Sequence, residues 1–142
     1  MNILLFGVSN VGKSASGRLL SGYLNCTFYD LDDEVKKEQN TTLKEFVSTG
    51  TLMERDAIRC HILNHLISKT ENKVIAVTPL SYIEDIRHLF SSPNAVCIGL
   101  TDSAENIFDR LVFSGENDVI YKDDEYKNRH TESTILKKFR QI

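Results

Sequence analysis

Lys13 and Ser14 close the segment Gly7-Val8-Ser9-Asn10-Val11-Gly12-Lys13-Ser14, which follows the apolar run Ile3-Leu4-Leu5-Phe6. The spacing is G-x-x-x-x-G-K-[ST], and the chemistry it serves is phosphate binding. Glycines allow a turn tight enough for successive backbone N–H groups to converge on one anion, helped by the start of a helix. A lysine after the second glycine can reach the β- and γ-phosphates of ATP, and the adjoining hydroxyl can ligate Mg²⁺. The bland alternative is a glycine turn joining a strand to a helix. The short strand before the segment and the helix-compatible residues 14–24 after it supply the context a phosphate loop needs. Gly7, Asn10, Val11, Gly12, Lys13, Ser14 and Ala15 are therefore the candidate nucleotide-binding set.

These residues need a frame that presents them from one edge of a sheet, and the rest of the chain alternates accordingly. The first strand covers 2–6, and a helix over 14–24 carries Leu19, Leu20 and Tyr23 as its apolar stripe. Cys26-Thr27-Phe28-Tyr29 reads as a second short strand running into the acidic cluster Asp30-Leu31-Asp32-Asp33-Glu34. Short helices are expected near 33–39 and 42–48, with Thr42 and Glu45 spaced as a capping box for the latter. A longer helix over about 52–68 takes Leu52, Ala57, Ile58, Leu63, Leu66 and Ile67 as its apolar face. Val74-Ile75-Ala76-Val77 is a continuous apolar run, the pattern of a strand covered on both faces of a parallel sheet. Thr78-Pro79-Leu80 ends it, and a helix over about 82–90 follows.

Ala95-Val96-Cys97-Ile98-Gly99-Leu100 is the fourth strand, after which Thr101-Asp102-Ser103 opens a helix to about residue 113. The alternation predicts an α/β fold: a doubly wound, three-layer arrangement with a short parallel sheet of four strands flanked by helices. Residues 114–124 are polar around the single apolar pair Val119-Ile120 and read as a lid-like loop. A last helix is expected over 125–140, and no fifth apolar strand is read. With no linker or repeat, residues 1–142 are expected to form one domain.

Composition narrows the functional classes. Hydrophobic content of 41% and charged content of 26% are ordinary for a globular protein. A net charge of −3 gives no electrostatic case for nucleic acid or an acidic membrane as partner. Cys26, Cys60 and Cys97 are odd in number and form no C-x-x-C pair, so neither a disulfide framework nor a zinc finger is suggested. No apolar run approaches the roughly 18 residues of a spanning helix, and residues 3–8 are too short for a signal sequence. A cytoplasmic monomer acting on a small molecule is the expectation.

Three blocks of the chain resemble the shikimate kinase family of small kinases. Gly12-Lys13-Ser14 followed by Ser16-Gly17-Arg18-Leu19-Leu20 is like the family's G-K-S-T-x-G-x-x-L-A. Phe28-Tyr29-Asp30-Leu31-Asp32 is like its F-x-D-x-D, and residues 42–55 resemble S-I-x-E-I-F-x-x-x-G-E-x-x-F-R. Weaker similarity continues over 96–111. The resemblance implies transfer of the ATP γ-phosphoryl group to a hydroxyl of shikimate or a similar small acid, with Mg²⁺, within aromatic amino acid biosynthesis. It implies that Lys13 and Asp32 are the catalytic candidates, and that Ser14 and Asp30 serve the metal. Asp32 would accept hydrogen bonds from acceptor hydroxyls, and Arg55 would pair with the acceptor carboxylate, for which a planar guanidinium is suited. Arg110 matches an arginine that covers the adenine ring. The residues alone also allow plainer readings: Asp32 as a helix N-cap, Arg55 and Arg110 as solvated helix-face charges.

The departures from the family are as specific as the matches. Val77-Thr78-Pro79-Leu80 stands where the family has a glycine run, and proline removes a donor while leucine adds bulk. Thr51 replaces the glutamate of G-E, Ile58 replaces an acidic residue, and Ala15 replaces a threonine. Residues 114–125 contain no arginine and set Glu116, Asp118, Asp123, Asp124 and Glu125 against Lys122 alone, where the family carries R-P-L-L. Arg129 and Arg140 match the family's further substrate arginine only with a shifted alignment. A non-catalytic nucleotide-binding relative, or a kinase of a different metabolite, is the alternative. Cys60, His61 and His65 lie close on one helix, with His61 and His65 at metal-ligand spacing, but no fourth ligand is evident, and 137–140 read as a basic helix end.

Overall fold

The computed structural model describes residues 1–110. Its elements run β1 (Asn2–Phe6), α1 (Lys13–Leu24), β2 (Thr27–Asp30), α2 (Leu31–Gln39), α3 (Leu43–Ser48) and α4 (Leu52–Ser68). They continue with β3 (Lys73–Ala76), a 3-10 helix (Glu84–Ser91), β4 (Ala95–Gly99) and α5 (Ala104–Asp109). The lid-like loop, the last helix, Arg129 and Arg140 lie outside the described residues, as does the continuation of the helix expected to reach residue 113.

The four strands form one parallel sheet in the order β2-β3-β1-β4. Leu4 faces Ile75 on one side and Cys97 on the other. Side chains alternate across a strand, so β1 divides its apolar residues between two cores. Leu4 joins Leu31, Val35, Phe46, Leu63, Leu66 and Ile75 on the face covered by α2, α3 and α4. Ile3, Leu5 and Val74 meet Phe28 and Leu20 on the opposite face, where α1 lies. Helices on both faces explain why β3 is buried throughout, as its unbroken apolar run predicts. The α/β fold with a four-stranded parallel sheet is thus as expected. β4 is less covered, with Val96 45% and Ile98 38% exposed.

Two helix faces differ from the expected stripes. On α1, Leu19 is 78% and Tyr23 89% exposed, while Gly17 and Ser21 are buried. The reason is proximity: a Cβ on Gly17 would lie 2.4 Å from the Phe28 ring, so α1 approaches the sheet through small residues. Gly17→Val should therefore destabilise the fold by about 1–3 kcal/mol through overpacking. Urea unfolding would read this as a lower midpoint, and an unchanged midpoint would mean that α1 has room to move. On α4, Leu63 and Leu66 are buried as expected, whereas Leu52 and Ala57 are exposed and Asp56 and Arg59 are buried in their stead.

Local signals account for the remaining boundaries. Thr42 and Glu45 do form a capping box at α3, and Thr51 with Glu54 forms a second at α4. The segment expected as a helix over 82–90 is a 3-10 helix displaced to Glu84–Ser91. Cys26, Cys60 and Cys97 are free thiols. No helix among the described residues is long and apolar enough to cross a membrane.

Candidate functional site

β3 and β1 are neighbours in the sheet, and the connection leaving β1 runs to β2 on one side while that leaving β3 runs to β4 on the other. Crevices at the carboxyl ends of strands, where such connections diverge, are the usual ligand sites of open parallel sheets. A cleft of about 370 Å³ lies there in this chain. Its walls come from the loop after β1 (Ser9, Asn10, Gly12, Lys13, Ser14, Ala15), the end of β2 (Asp30, Asp32), the end of β3 (Ala76, Thr78, Pro79) and Arg110.

The loop after β1 is held open by particular residues. Gly12 has φ 105°, and Gly7 has φ 142° with the Leu100 carbonyl oxygen 2.6 Å from where a Cβ would stand. Only glycine takes those conformations without strain, and at Gly7 the space is closed as well. Asn10 also has positive φ, at 62°. Gly7 and Val11 shape the loop from behind and do not line the cleft; Val11 is buried. The first turn of α1 has no side-chain cap, leaving its N–H groups available to an anion.

Lys13 donates from Nζ to the carbonyl oxygens of Gly7 and Val8, both at 2.8 Å. Burial pushes its pKa down, and the Asp32 and Asp30 carboxylates pull the other way. A phosphate in the cleft would offer this ammonium a full negative charge in exchange for two carbonyls. Ser14 donates its hydroxyl to Oδ2 of Asp30. The other oxygen of Asp30 accepts from the Asp32 backbone N–H at 3.1 Å, making Asp30, and not Asp32, the N-cap of α2. Ser14 Oγ and Asp30 Oδ2 thus form a pair of hard oxygen donors, the donor chemistry that suits Mg²⁺. Among the described residues no cluster of three or more His, Cys, Asp or Glu could hold a metal by itself, so Cys60, His61 and His65 form no metal site.

Asp32, in the first turn of α2, also faces the cleft. Burial raises its pKa; the Thr78 side chain, hydrogen-bonded to it, and the nearby Arg59 charge oppose that rise. Its Oδ1 is buried without a partner among the described residues. Thr78 and Pro79, the departures from the glycine run, both line the cleft, and the threonine hydroxyl meets the very carboxylate expected to face an acceptor.

Arg110 closes the cleft from the far end of the described chain. It donates from Nε to the Asn10 carbonyl at 3.1 Å and from Nη2 to Asp102. Those contacts, with Asn106 and the Ser103 N–H, hold the Asp102 carboxyl down at about 2. The expected nucleotide contact at Arg110 therefore has a guanidinium already stationed against the phosphate loop.

Arg55 is not brought to this cleft. It donates from Nη1 to the carbonyls of Thr49 at 2.9 Å and Gly50 at 2.8 Å, and it lines a separate cavity of about 530 Å³ with Phe46, Glu54 and Ile58. Asp56 and Arg59, which sequence reasoning passed over, are the charged residues that α4 buries. Asp56 is 0% exposed and accepts from the N–H groups of Ser81 (2.8 Å) and Tyr82 (3.1 Å) and from Arg59 Nη1 (3.2 Å). It therefore anchors the turn that follows Thr78 and Pro79. Their register was the available signal: positions 56, 59, 63 and 66 fall at the i, i+3, i+4 spacing of one buried face.

Comparison with known proteins is consistent with this geometry. The shikimate kinase family model matches residues 9–141. The shikimate kinase of Bartonella quintana is 30% identical over 110 residues, 77% of this chain but 51% of that enzyme. That of Persephonella marina is 30% identical over 122 residues, 85% of this chain and 73% of its own length. The chain thus spans about half the length of the Bartonella enzyme. The crystal structure of shikimate kinase from Aquifex aeolicus superposes with a TM-score of 0.67 at 28% identity, over 100% of this chain and 81% of that one. The Acinetobacter baumannii enzyme, solved in complex with shikimate, superposes at 0.72 with 20% identity, covering 99% and 72%, a likeness of fold.

Proposed function

Because the chain belongs to the shikimate kinase family, we propose that it is an ATP-dependent phosphotransferase acting on a hydroxyl of shikimate or a similar small hydroxylated acid. The observation that carries this reading is the meeting, in one cleft, of the phosphate loop, the Ser14–Asp30 oxygen pair and the perturbed Asp32 carboxylate. Phosphoryl transfer asks the protein for position and charge stabilisation more than for covalent chemistry. Gly12, the loop amides and Lys13 bind the phosphates, and Arg110 lies against the nucleotide. Ser14 and Asp30 would hold Mg²⁺, which when bound neutralises charge on the phosphate oxygens. Asp32 orients the acceptor hydroxyl and takes its proton; burial that raises its pKa brings it closer to the basicity that role needs.

A second reading, a nucleotide-binding module without transfer, is favoured by one observation: the Thr78 side chain already engages Asp32. Calorimetry with Mg-ATP and a coupled ADP-release assay with and without shikimate separate the two. Binding with a rate that shikimate raises supports the kinase; binding with a rate indifferent to shikimate rejects it. Failure to bind Mg-ATP would reject both.

Asp32→Asn tests the acceptor side. The shikimate-dependent rate should fall by about 10² or more while Mg-ATP affinity stays nearly unchanged. Stability should move the opposite way. A carboxyl whose folded pKa is raised contributes stability that is fully present below its ordinary value of about 3.9 and is lost as pH rises through the folded value. Asparagine does not titrate, so the variant should resist urea better than wild type at pH 7, with the gap narrowing toward pH 4. Equal losses of ATP affinity and acceptor use would contradict the role.

A further inference from the structure

Among the described residues, the nucleotide cleft is lined by three hydroxyl side chains: Ser9, Ser14 and Thr78. Ser9 belongs to the phosphate loop, and Ser14 is engaged with Asp30 as the oxygen pair for a metal. Thr78 differs from both, because its side chain is hydrogen-bonded to Asp32. Oδ1 of Asp32 has no hydrogen-bond partner, so the threonine meets Oδ2. The hydroxyl donates and the ionised carboxylate accepts. A general base must lie within hydrogen-bond reach of the proton it takes. Asp32 is the base of the proposed transfer, and Thr78 carries the hydroxyl already lying on it.

The backbone holds that hydroxyl in place from both sides. Before it, the Val77 N–H donates to the Leu5 carbonyl at 2.9 Å and continues the β1–β3 ladder. After it, Pro79 restricts the preceding residue to extended conformations. Asp56 then fixes the turn by accepting from the N–H groups of Ser81 and Tyr82. Threonine is itself stiff at χ1. A nucleophile constrained in this way loses little freedom on reaching its reactive geometry. Thr78 is only half-buried, so it is open to the cleft that it lines.

We propose that Thr78 is itself a phosphoryl acceptor, so that the chain phosphorylates its own threonine from Mg-ATP when no small acceptor is present. The proposal rests on the phosphotransferase reading of the cleft and adds a second acceptor to it. Oγ1 of Thr78 bonds the γ-phosphorus of ATP as the bond from that phosphorus to the ADP oxygen breaks, and the hydroxyl proton passes to Oδ2 of Asp32. Lys13 holds the phosphates, as it does in transfer to a small molecule. The product places a charge of about −1.5 to −2 beside Asp30 and Asp32. That charge repels a further triphosphate, so the reaction halts at one phosphoryl group per chain.

The test incubates the full chain with Mg-ATP labelled in its γ-phosphate, with no other acceptor, and follows the intact mass and the position of the label. Wild type should gain one phosphoryl group, mapped to Thr78, at a rate per chain that is independent of protein concentration. Lys13→Ala and Asp32→Asn should slow the labelling about 10²-fold or more. Thr78→Val should abolish it, and Thr78→Ser should retain it at the same position. Mapping on the wild-type chain needs no variant to fold. Label on another residue, or a rate per chain that rises with protein concentration, overturns the proposal. So does an unlabelled wild type whose ADP release shikimate raises, and that result leaves the kinase reading standing. Label at Thr78 with ADP release indifferent to shikimate upholds the proposal and rejects the small acid as acceptor. A wild type that binds Mg-ATP and does neither refutes both.

Discussion

Lys13→Ala is expected to lower turnover at least about 10²–10³-fold and to weaken Mg-ATP binding strongly. That is the scale for losing one positioned donor to developing charge. The side chain is buried, and its ammonium is turned onto the Gly7 and Val8 carbonyls, within reach of the loop's own anion site. Burial already disfavours its charged form. Removing the lysine therefore relieves a desolvated charge as well as deleting two hydrogen bonds, and the unfolding midpoint should change little. The signature is a lost function on an intact fold, read by calorimetry and by urea unfolding of the same sample. A variant that binds and turns over Mg-ATP like wild type would remove the phosphate-site assignment.

Asp56→Ala is expected to cost about 3–5 kcal/mol of stability, the range for removing one partner of a buried ion pair. The aspartate is fully buried and serves three donors: two backbone N–H groups of the turn after β3 and the Arg59 guanidinium. Alanine leaves all three without their acceptor. Asp56→Asn should cost less, because its amide oxygen can still accept from Ser81 and Tyr82. The consequence reaches the cleft, since the turn it anchors begins directly after Thr78 and Pro79. Urea unfolding at pH 7 measures both variants. A loss below about 1 kcal/mol for alanine would mean that the turn does not depend on Asp56.

The phosphate loop was legible because its requirements are local. Gly7 and Gly12 take the positive backbone angles that the loop itself imposes, and Lys13 and Ser14 follow at a fixed spacing. The apolar run of β3 and the capping box at Thr42 were legible for the same reason. The stripe on α1 was misjudged because hydrophobicity alone does not report distance. Leu19 and Tyr23 look like a core face, yet the Phe28 ring requires glycine where the helix meets the sheet. Asp56 and Arg59 were overlooked because charges in sequence read as surface, and only a tertiary partner makes their burial tolerable.

The sequence by itself determined an α/β order of elements, a phosphate-binding loop and the family resemblance, since each depends on residues close together in the chain. Only the tertiary structure decided what faces what. It brought Asp30 and Asp32 to Ser14 and Lys13, set the Thr78 side chain on Asp32, and drew Arg110 to the carbonyl of a residue 100 positions away. It also turned Arg55 to the carbonyls before α4 and buried Arg59 one turn beyond. Those choices depend on helix rotation and on partners distant in sequence. The side chains at positions 55 and 59 share a helix and a charge, but only packing separates the one that caps a loop from the one buried against Asp56 and Phe46.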